Sequence, residues 1–456
     1  MSLQELKQTA AARFAKLHAA ALKKLREDKE LRLAQQLQRS GTLNDKVSAL
    51  MLQVNKSFRP QTYCNFEAID SLLAIAHKKS RFHSQAALEA LSELFTDLIL
   101  PHTPLRSFAP ETEASEADLV YFESEVKRRY SQFIEVLKQH AQDAVEHHKK
   151  LAIRMLCELA LKKAEQREQV LEAVVNKLGD AVTAVPTSVI LECNSLVRRR
   201  RQLIPQLLTV VTRFMLRKNN GPDALFYSVV LLNSIKLRPG EDESISLVLR
   251  LYLQVFPQLV QQHSKKGHKL IALVLKHINK LYPLYADKQA LHSAFFAEEV
   301  QALYRLTHFT ANHNVQLHSL RFIFNVSKAA GFVPDRFYRA LYEFVMPRLS
   351  ITGLSYESLT LLINTLFQAL KEDHQLTRVR AFVKRLLQVC LISEPQVILG
   401  LLLLVSELFA EQTSLYLLVK ERPYEELEEH YEDMPDSEDE APKKKSKKQK
   451  KMRTKQ

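Results

Sequence analysis

Glycine is scarce in this sequence, with 8 residues among 456, where about 7% is usual. Folds that need positive φ at many turns, such as β-sandwiches and doubly wound nucleotide-binding sheets, depend on glycine at those turns. The shortage therefore disfavours both classes and, with them, an enzyme that holds phosphates in a glycine-rich loop.

Paired cysteines are lacking as well. Cys64, Cys157, Cys193 and Cys390 form no CxxC motif, and each lies in an apolar stretch. This pattern is typical of small buried hydrophobic residues in a reducing compartment. The sequence therefore disfavours a disulfide scaffold.

Membrane spans and secretory signals are not evident either. The first ten residues, MSLQELKQTA, contain no apolar core of a signal peptide. The most apolar run, 397–410, contains Ser406 and Glu407 and is shorter than the roughly 18 apolar residues that a span needs. We expect this run to be a buried helix and the protein to have no membrane partner.

Catalytic and metal-binding motifs are missing from the sequence. No phosphate-loop, HExxH, GxSxG or calcium-loop pattern occurs. His140 and His147 share a helix face but stand among Gln, Lys and Ala, which favours a solvated surface over a metal site. We expect no enzymatic activity, no cofactor and no small-molecule substrate.

Helical periodicity runs through nearly the whole chain, and no segment alternates with period two, so we predict helices and no strands. Residues 1–40 are expected to form one basic amphipathic N-terminal helix that ends at Ser40, with Asn44 or Asp45 capping the next helix. The apolar stripe of the first helix consists of Leu3, Leu6, Ala10, Phe14, Leu17, Ala21 and Leu25.

Residues 41–420 are expected to form the folded body. Proline and glycine divide it into about 18 amphipathic helices with short connections, which favours antiparallel neighbours. Stacked pairs of about 40 residues would bury one face of each helix. The predicted fold is all-α, a HEAT/armadillo-like α-solenoid of stacked antiparallel helix pairs. In two places, 45–50 and 149–156, a charged residue precedes an apolar helix rich in small residues, as in HEAT units.

Positive charge is in excess, with 65 basic and 51 acidic residues and a net charge of +14. Positions 421–440 hold eleven acids and one arginine, and positions 441–456 hold nine basic residues and no acid. Neither block can bury apolar area, so we predict an acidic disordered tract followed by a lysine-rich tail. The first 420 residues therefore carry +15, which indicates a polyanionic partner for the body itself.

Basic clusters lie at several helix ends and along the predicted helix 376–392. At 100° per residue, apolar residues including Leu387 and Cys390 fall on one arc of that helix and four cations on the other, which predicts an uninterrupted cationic face. Such cations bind phosphates without reading bases, although solvated charges that favour the helix dipole are an alternative interpretation. The RNA-contact candidates are Lys78, Lys79, Arg81, Arg198, Arg199, Arg200, Arg201, Lys265, Lys266, Lys269, Arg378, Arg380, Lys384 and Arg385.

The charged C-terminal segment contains two further candidate sites. Ser437 precedes Glu438-Asp439-Glu440, which suits an acidophilic kinase, and its phosphorylation would add negative charge to an acidic tract. The lysine-rich tail has the composition of a nuclear or nucleolar localisation segment. The lysines assigned to this segment are Lys443, Lys444, Lys445, Lys447, Lys448, Lys450 and Lys451.

Several blocks of the sequence are similar to one known family. The segments 41–50 (GTLNDKVSAL) and 68–101, which includes Lys78-Lys79-Ser80-Arg81, resemble blocks of the CCAAT/enhancer-binding protein zeta family. This is also the family of the first nucleolar complex protein, and it carries the CCAAT-binding-factor domain. The blocks DRFYRALYE at 335–343 and RVRAFVKRLLQV at 378–389 resemble the same family.

The resemblance extends in order from about residue 41 to residue 410. It implies a nucleolar α-helical repeat protein that works in large-subunit ribosome assembly, binds pre-rRNA and early pre-60S particles, and pairs with a second nucleolar complex helical-repeat protein. The chain departs from the family pattern at its ends. Family members usually continue past the acidic tract into a segment around an RNPLF-like motif, and many have a longer N-terminal extension.

We therefore expect a non-enzymatic scaffold in the nucleolus or nucleus. Two alternatives use the same fold. One is a DNA-associated transcription cofactor of CCAAT-containing promoters, for which the sequence offers no element that reads bases. The other is a protein-binding helical-repeat adaptor, for which a body charge of +15 is unfavourable.

Overall fold

The computed structural model describes residues 3–27, 29–60, 62–78, 81–107, 116–260, 265–285, 297–309, 312–345, 355–412 and 415. Within these ranges the chain is helical and contains no strand, apart from an isolated antiparallel bridge between Arg59 and Tyr63. The predicted all-α class is therefore confirmed. The α-helices are α1 (Leu3–Glu27), α2 (Lys29–Ser40), α3 (Leu43–Ser57), α4 (Phe66–Ala76), α5 (Arg81–Glu93), α6 (Ala117–His140), α7 (Glu146–Lys162), α8 (Arg167–Val175), α9 (Ala184–Arg199), α10 (Ile204–Met215), α11 (Pro222–Ser234), α12 (Asp242–Val260), α13 (Lys265–Leu281), α14 (Ala297–Phe309), α15 (His313–Ala329), α16 (Asp335–Phe344), α17 (Tyr356–Lys371), α18 (Leu376–Cys390) and α19 (Pro395–Glu411).

From α4 to α19 the helices alternate between two layers, and each antiparallel pair packs on the next. The even-numbered helices, α4 to α18, are named the A layer, and the odd-numbered helices, α5 to α19, are named the B layer. Neighbouring B-layer helices touch throughout the series from α5 to α19, and the apolar residues form one continuous core. This arrangement is the HEAT-like α-solenoid that the sequence predicts.

Polar contacts between neighbouring B-layer helices join residues one repeat apart. Asn194 near the end of α9 and Ser234 at the end of α11 are 40 residues apart and donate to each other at 2.9 and 3.0 Å. Lys371 and Glu411, the last residues of α17 and α19, are also 40 residues apart and form an ion pair. Since ends meet ends, the B-layer helices run parallel, and their C-terminal ends lie along one edge of the solenoid.

The sequence of α13 shows why each helix buries only one side. Leu270, Val274 and Ile278 recur every four positions and are buried, and Ile271 and Leu275 widen the same stripe. Each such side chain stabilises the fold by about 1.5–3 kcal/mol when it is fully buried. The opposite side of α13 is free to carry charge.

The described residues of the N-terminal segment are helical and form α1 and α2, which end and begin on either side of residue 28. α1 packs along α6. Arg13 pairs with Asp118 of α6 at 3.2 Å, and the Phe14 ring stacks on Phe66 of α4 with centroids 5.3 Å apart. These contacts join α1 to the solenoid.

The start of α3 is capped by Thr42, and the prediction of Asn44 or Asp45 as the cap is wrong. The Thr42 hydroxyl accepts from the Asp45 N–H at 3.4 Å, and the Asp45 carboxylate accepts from the Thr42 N–H at 2.9 Å, which is a capping box. The Thr42 hydroxyl, which also donates to the Asp45 carboxylate at 2.6 Å, and the Thr42 N–H together hold the pKa of Asp45 below its usual value. A Cβ on Gly41 would lie 2.5 Å from the Leu37 carbonyl oxygen, so the turn before this cap requires glycine.

The segment 397–410 forms a helix, as predicted, but only one side of this helix, α19, is buried. Leu401 and Leu404 are buried, but Leu399 and Leu403 remain 70% and 64% exposed. The reason is position: α19 is the last helix of the stack within the described ranges, so no described pair covers its outer side. None of the helices in these ranges is long and apolar enough to span a bilayer.

The four cysteines are free thiols. Cys64, Cys157 and Cys193 are buried, as predicted, whereas Cys390 at the end of α18 is half-buried. Burial raises the pKa of Cys64 to about 12, which keeps it an unreactive thiol at neutral pH.

Candidate nucleic-acid interface

The first predicted cluster lies between α4 and α5. Lys78 is exposed, and its side chain has no hydrogen bond or ion pair within the described part of the chain. Lys79 lies outside the described residues. Arg81 is the first residue of α5, but its side chain is not among those that the structure describes. Lys78 is therefore the member of this cluster that the structure places on the surface.

The four arginines 198–201 stand at the C-terminal edge, where α9 ends. Arg198 and Arg199 are exposed and have no partner among the described residues. Arg200 donates to the Leu161 carbonyl at 3.1 Å. Arg201 holds Glu241, 40 residues away, in a two-pronged ion pair at 2.7 and 2.8 Å. Two of these arginines thus tie neighbouring repeats together, and two remain available to a ligand.

The cluster Lys265, Lys266 and Lys269 begins α13 and therefore lies at the opposite, N-terminal edge of the B layer. The starts of α9, α11 and α13 come together there around a cavity of about 500 Å³. Lys269 is exposed, and the side chains of the other two lysines lie outside the description. The structure does not bring these lysines together with the arginines of α9.

The predicted cationic face of α18 is interrupted at Arg378. Its guanidinium donates to Asp373 at 2.6 and 2.7 Å and to Asp335 at 2.6 Å. It also lies over the Tyr338 ring, 3.9 Å from the centroid. The carboxylates raise the pKa of Arg378 above its ordinary value. Arg378 is thus a structural residue that joins α16 to α18.

The remaining cations of α18 differ in their exposure. Arg385 lies over the Tyr342 ring at 4.9 Å and donates to Gln388 at 3.3 Å. Arg380 is half-buried, whereas Lys384 is exposed. Leu387, which the helical projection placed on the apolar arc, is 43% exposed. Lys384 is the clearest surface cation of this helix.

Ser437 and the tail lysines lie outside the described residues, so their assignments stay predictions. A ring nitrogen of His140, one of the two histidines on the shared helix face, forms a hydrogen bond with the Ala76 carbonyl at 2.9 Å. No group of three or more His, Cys, Asp or Glu within the described ranges is arranged to hold a metal ion.

A groove on the B layer brings together residues that the sequence analysis did not group. It runs across α11, α13, α15 and α17 and has a volume of about 710 Å³; it is named the B-layer groove. The residues that define its chemistry are Phe226, Lys269, Lys276, Lys280, Asn314 and His318.

A sequence signal for this groove exists in α13. At 100° per residue, Lys269, Lys276 and Lys280 fall within about 40° of one another, and a rise of 1.5 Å per residue spaces them by about 10 and 6 Å along the helix. The helical projection that was applied to 376–392 predicts this row of lysines when it is applied to α13. The packing of α11, α15 and α17 beside α13 cannot be predicted from the sequence of α13.

An exposed apolar surface covers the end of the stack. Large hydrophobic side chains that reach solvent concentrate in the last two helices and the turn between them, and this surface is named the α18–α19 leucine face. Its members are Leu387, Leu391, Ile392, Leu399, Leu402 and Leu403, with exposures of 43%, 85%, 61%, 70%, 45% and 64%. The sequence signal for this face is the apolar run 397–410, because a helix that buries only one side would show a one-sided apolar stripe instead.

The fold and these surfaces define a class of protein: a HEAT-like α-solenoid with exposed cations along its helices and an apolar end face. Residues 316–455 match the model of the CBF/Mak21 family. This match confirms the resemblance that the sequence blocks show, and it covers the C-terminal third of the chain.

Curated relatives carry related names. The chain is 28% identical over 87% of its length to mouse "CCAAT/enhancer-binding protein zeta", 26% over 81% to "Ribosome biogenesis protein NOC1" of Chaetomium thermophilum, and 24% over 84% to "Nucleolar complex protein 1" of Drosophila melanogaster. It spans 38%, 40% and 33% of those proteins. The names agree with the predicted nucleolar ribosome-biogenesis family and its nucleolar or nuclear location, and none is that of an enzyme.

Among solved structures, the chain is similar to the crystal structure of Kap121p, with 13% identity and a TM-score of 0.36. The similarity covers 91% of this chain and 50% of that one.

Proposed function

We propose that this chain is a non-enzymatic assembly factor of large-ribosomal-subunit biogenesis. It acts in the nucleolus, binds pre-rRNA and early pre-60S particles, and works in a complex with another nucleolar complex protein of the helical-repeat type. The relatives' names support the process and the compartment. The surfaces of the solenoid support the two kinds of partner.

The observation that carries the RNA part is the presence of exposed cations that no described carboxylate neutralises. Many surface cations pair across repeats, as Lys328 does with Glu372, but Lys78, Arg198 and Arg199 do not. A body with a net charge of +15 repels itself unless an anionic partner relieves the repulsion. A phosphate backbone does so without sequence readout.

The RNA part is tested with the double substitution R198Q/R199Q in the full chain. Loss of two phosphate contacts should lower the slope of log affinity against log salt by about 1.4 on a single-stranded pre-rRNA fragment. Both side chains are exposed and unpaired, so the fold should change by less than about 0.5 kcal/mol. Fluorescence anisotropy across a salt series measures the slope.

The matched control is K328Q/K371Q, which removes the same charge from lysines already paired with Glu372 and Glu411. Its slope should stay closer to that of the unsubstituted protein. The same slope in both variants would remove Arg198 and Arg199 from the contact surface. Absence of RNA binding by the unsubstituted chain at low salt would overturn the RNA proposal itself.

The partner part of the proposal concerns the α18–α19 leucine face. In a repeat protein each pair covers the previous one, and a terminal repeat normally has a polar outer side. Here the outer side of α19 is apolar: Leu399 and Leu403 are mostly exposed, and no helix within the described ranges covers them. The occupant that fits is the apolar side of another protein's helix, which continues the stacking of the solenoid.

A DNA-associated role is the second candidate, because mouse and human relatives are named CCAAT/enhancer-binding protein zeta. The same exposed cations would serve duplex DNA. Crosslinking followed by sequencing separates the two: recovery of pre-rRNA supports assembly, and recovery of promoter DNA alone supports transcription.

A further inference from the structure

We infer that the B-layer groove binds a single RNA strand, with the lysines of α13 facing the phosphates and Phe226 stacking on a base. This inference rests on the proposed function and gives it a site apart from the arginines of α9. The evidence is the charge, the hydrogen-bonding capacity and the size of the groove.

The lysines of α13 supply a row of positive charge. Lys269 and Lys280 are exposed and have no ion pair among the residues that the structure describes. Lys276, between them, is held by Glu357 of α17 at 2.8 Å. Lys269 and Lys280 are about 16 Å apart along the helix axis, so they can face different phosphates of an extended strand.

The opposite wall offers uncharged donors. The Asn312 side-chain oxygen accepts from the Asn314 backbone N–H at 3.1 Å, and the Asn314 side-chain oxygen accepts from the Ser358 hydroxyl at 2.8 Å. Each oxygen is thus occupied within the protein, and each amide NH₂ group remains a donor for base carbonyls or phosphates. The charged lysine donors of α13 and the uncharged amide donors of the opposite wall therefore line the same groove.

His318 adds a neutral polar atom to this wall. Its Nδ1 is buried and has no hydrogen-bond partner within the described ranges. Burial, together with the charge of Lys276, lowers the pKa of His318 to about 4, so the ring is uncharged at neutral pH. An unsatisfied buried polar atom costs stability, and a hydrogen bond from a ligand would offset this cost.

The shape of the groove favours a single strand over a duplex. Its volume of about 710 Å³ lies within the roughly 300–1,000 Å³ of sites that enclose small ligands, which suits a few nucleotides. Duplex recognition instead uses an open surface that spans about 16 base pairs. Phe226 lines the groove and is half-buried, so its ring is placed to stack on an unpaired base, a contact of about 1–3 kcal/mol.

The test uses K269Q/K280Q in the full chain, with a single-stranded and a duplex RNA of equal length as probes. The salt slope for the single strand should fall by about 1.4, and its affinity should fall about tenfold near physiological salt. Duplex binding should change less. Phe226→Leu should weaken single-strand binding about fivefold without a change of slope, because stacking releases few counterions.

The matched control is K218Q/K236Q, which removes two exposed lysines that do not line the groove. Circular dichroism verifies that each variant folds. Equal losses of RNA affinity in K269Q/K280Q and K218Q/K236Q would overturn the inference. The proposed function would still stand in that case, because it requires only that the unsubstituted chain binds RNA. An alternative occupant of the groove is the acidic tract of the chain instead of RNA, and a peptide of residues 421–440 tests this. The inference would be overturned if K269Q/K280Q weakened binding of that peptide but not of RNA.

Discussion

At the scale of single residues, the bond between Tyr252 and His277 shows how the core uses a titratable side chain. The Tyr252 hydroxyl and His277 Nδ1 are hydrogen-bonded at 2.7 Å, and His277 is 1% exposed. Burial, with a smaller effect of Lys280, lowers the pKa of His277 to about 3. A protonated Nδ1 could still donate to the Tyr252 oxygen, so it is burial, rather than this bond, that keeps the imidazole neutral.

This residue gives the folded state a dependence on pH. The pKa of His277 is about 6.5 in the unfolded chain and about 3 in the folded one. Between these values the unfolded chain binds a proton that the folded chain does not. The stability contributed by the neutral ring is therefore complete above pH 6.5 and is lost as the pH falls, by about 1.4 kcal/mol per pH unit.

The prediction is tested with Y252F/H277F, which removes the titrating ring and its hydrogen-bond partner together. Replacing both partners avoids an unsatisfied hydroxyl. Urea unfolding between pH 6.5 and 5 should show a pH dependence of the unfolding free energy that is smaller by about 0.7 kcal/mol per unit at pH 6.5, rising to about 1.4 kcal/mol per unit toward pH 5. His318, whose pKa is lowered to about 4, acts similarly and is retained in both proteins. Parallel pH curves would contradict a neutral buried His277.

At the scale of elements, α19 has two apolar sides, and only one of them is buried against the described part of the chain. We expect L399S/L403S to abolish or strongly reduce recovery of the helical partner, since each buried leucine contributes about 1.5–3 kcal/mol to an interface. Both residues are largely exposed, so thermal unfolding should shift little. Co-purification from nucleolar extract, with the partner identified by mass spectrometry, measures the loss.

The control for this element is L191S/F332S, which changes two apolar residues that are 65% and 71% exposed elsewhere on the solenoid. Partner recovery should be unchanged in this variant. If L399S/L403S and the control retain the same partner in the same amount, the leucine face is not the docking surface.

The elements also show what could be predicted from sequence and what could not. Periodicity of three and four predicts the buried stripe of α13 and the helical character of α18, because burial follows spacing within one helix. It could not predict that Arg378 binds Asp335, 43 residues away. Likewise, the run 397–410 predicts a helix, but its exposure depends on whether another pair lies above α19. Local patterns fix helices, and contacts between repeats decide which cations and leucines remain exposed.

At the scale of the whole molecule, the parallel B-layer helices separate the predicted basic clusters. Arg198 and Arg199 lie at the C-terminal edge and Lys269 lies toward the N-terminal edge. A solenoid is nearly one-dimensional, so each repeat contacts only its neighbours. The predicted basic clusters in residues 1–420, whose net charge is +15, are therefore separated along the stack, an arrangement that would suit the proposed extended RNA better than one compact ligand.

The lysine-rich tail gives a prediction that the body does not share. Residues 441–456 hold nine basic residues and no acid, the composition of a localisation signal. Deletion of 441–456 should remove the protein from the nucleolus in fluorescence microscopy. The control is replacement of the segment by a Gly/Ser linker of equal length, which should behave like the deletion. Nucleolar accumulation of the deleted chain would show that the body, through its RNA or protein contacts, is sufficient for location, and would reject the tail as the address.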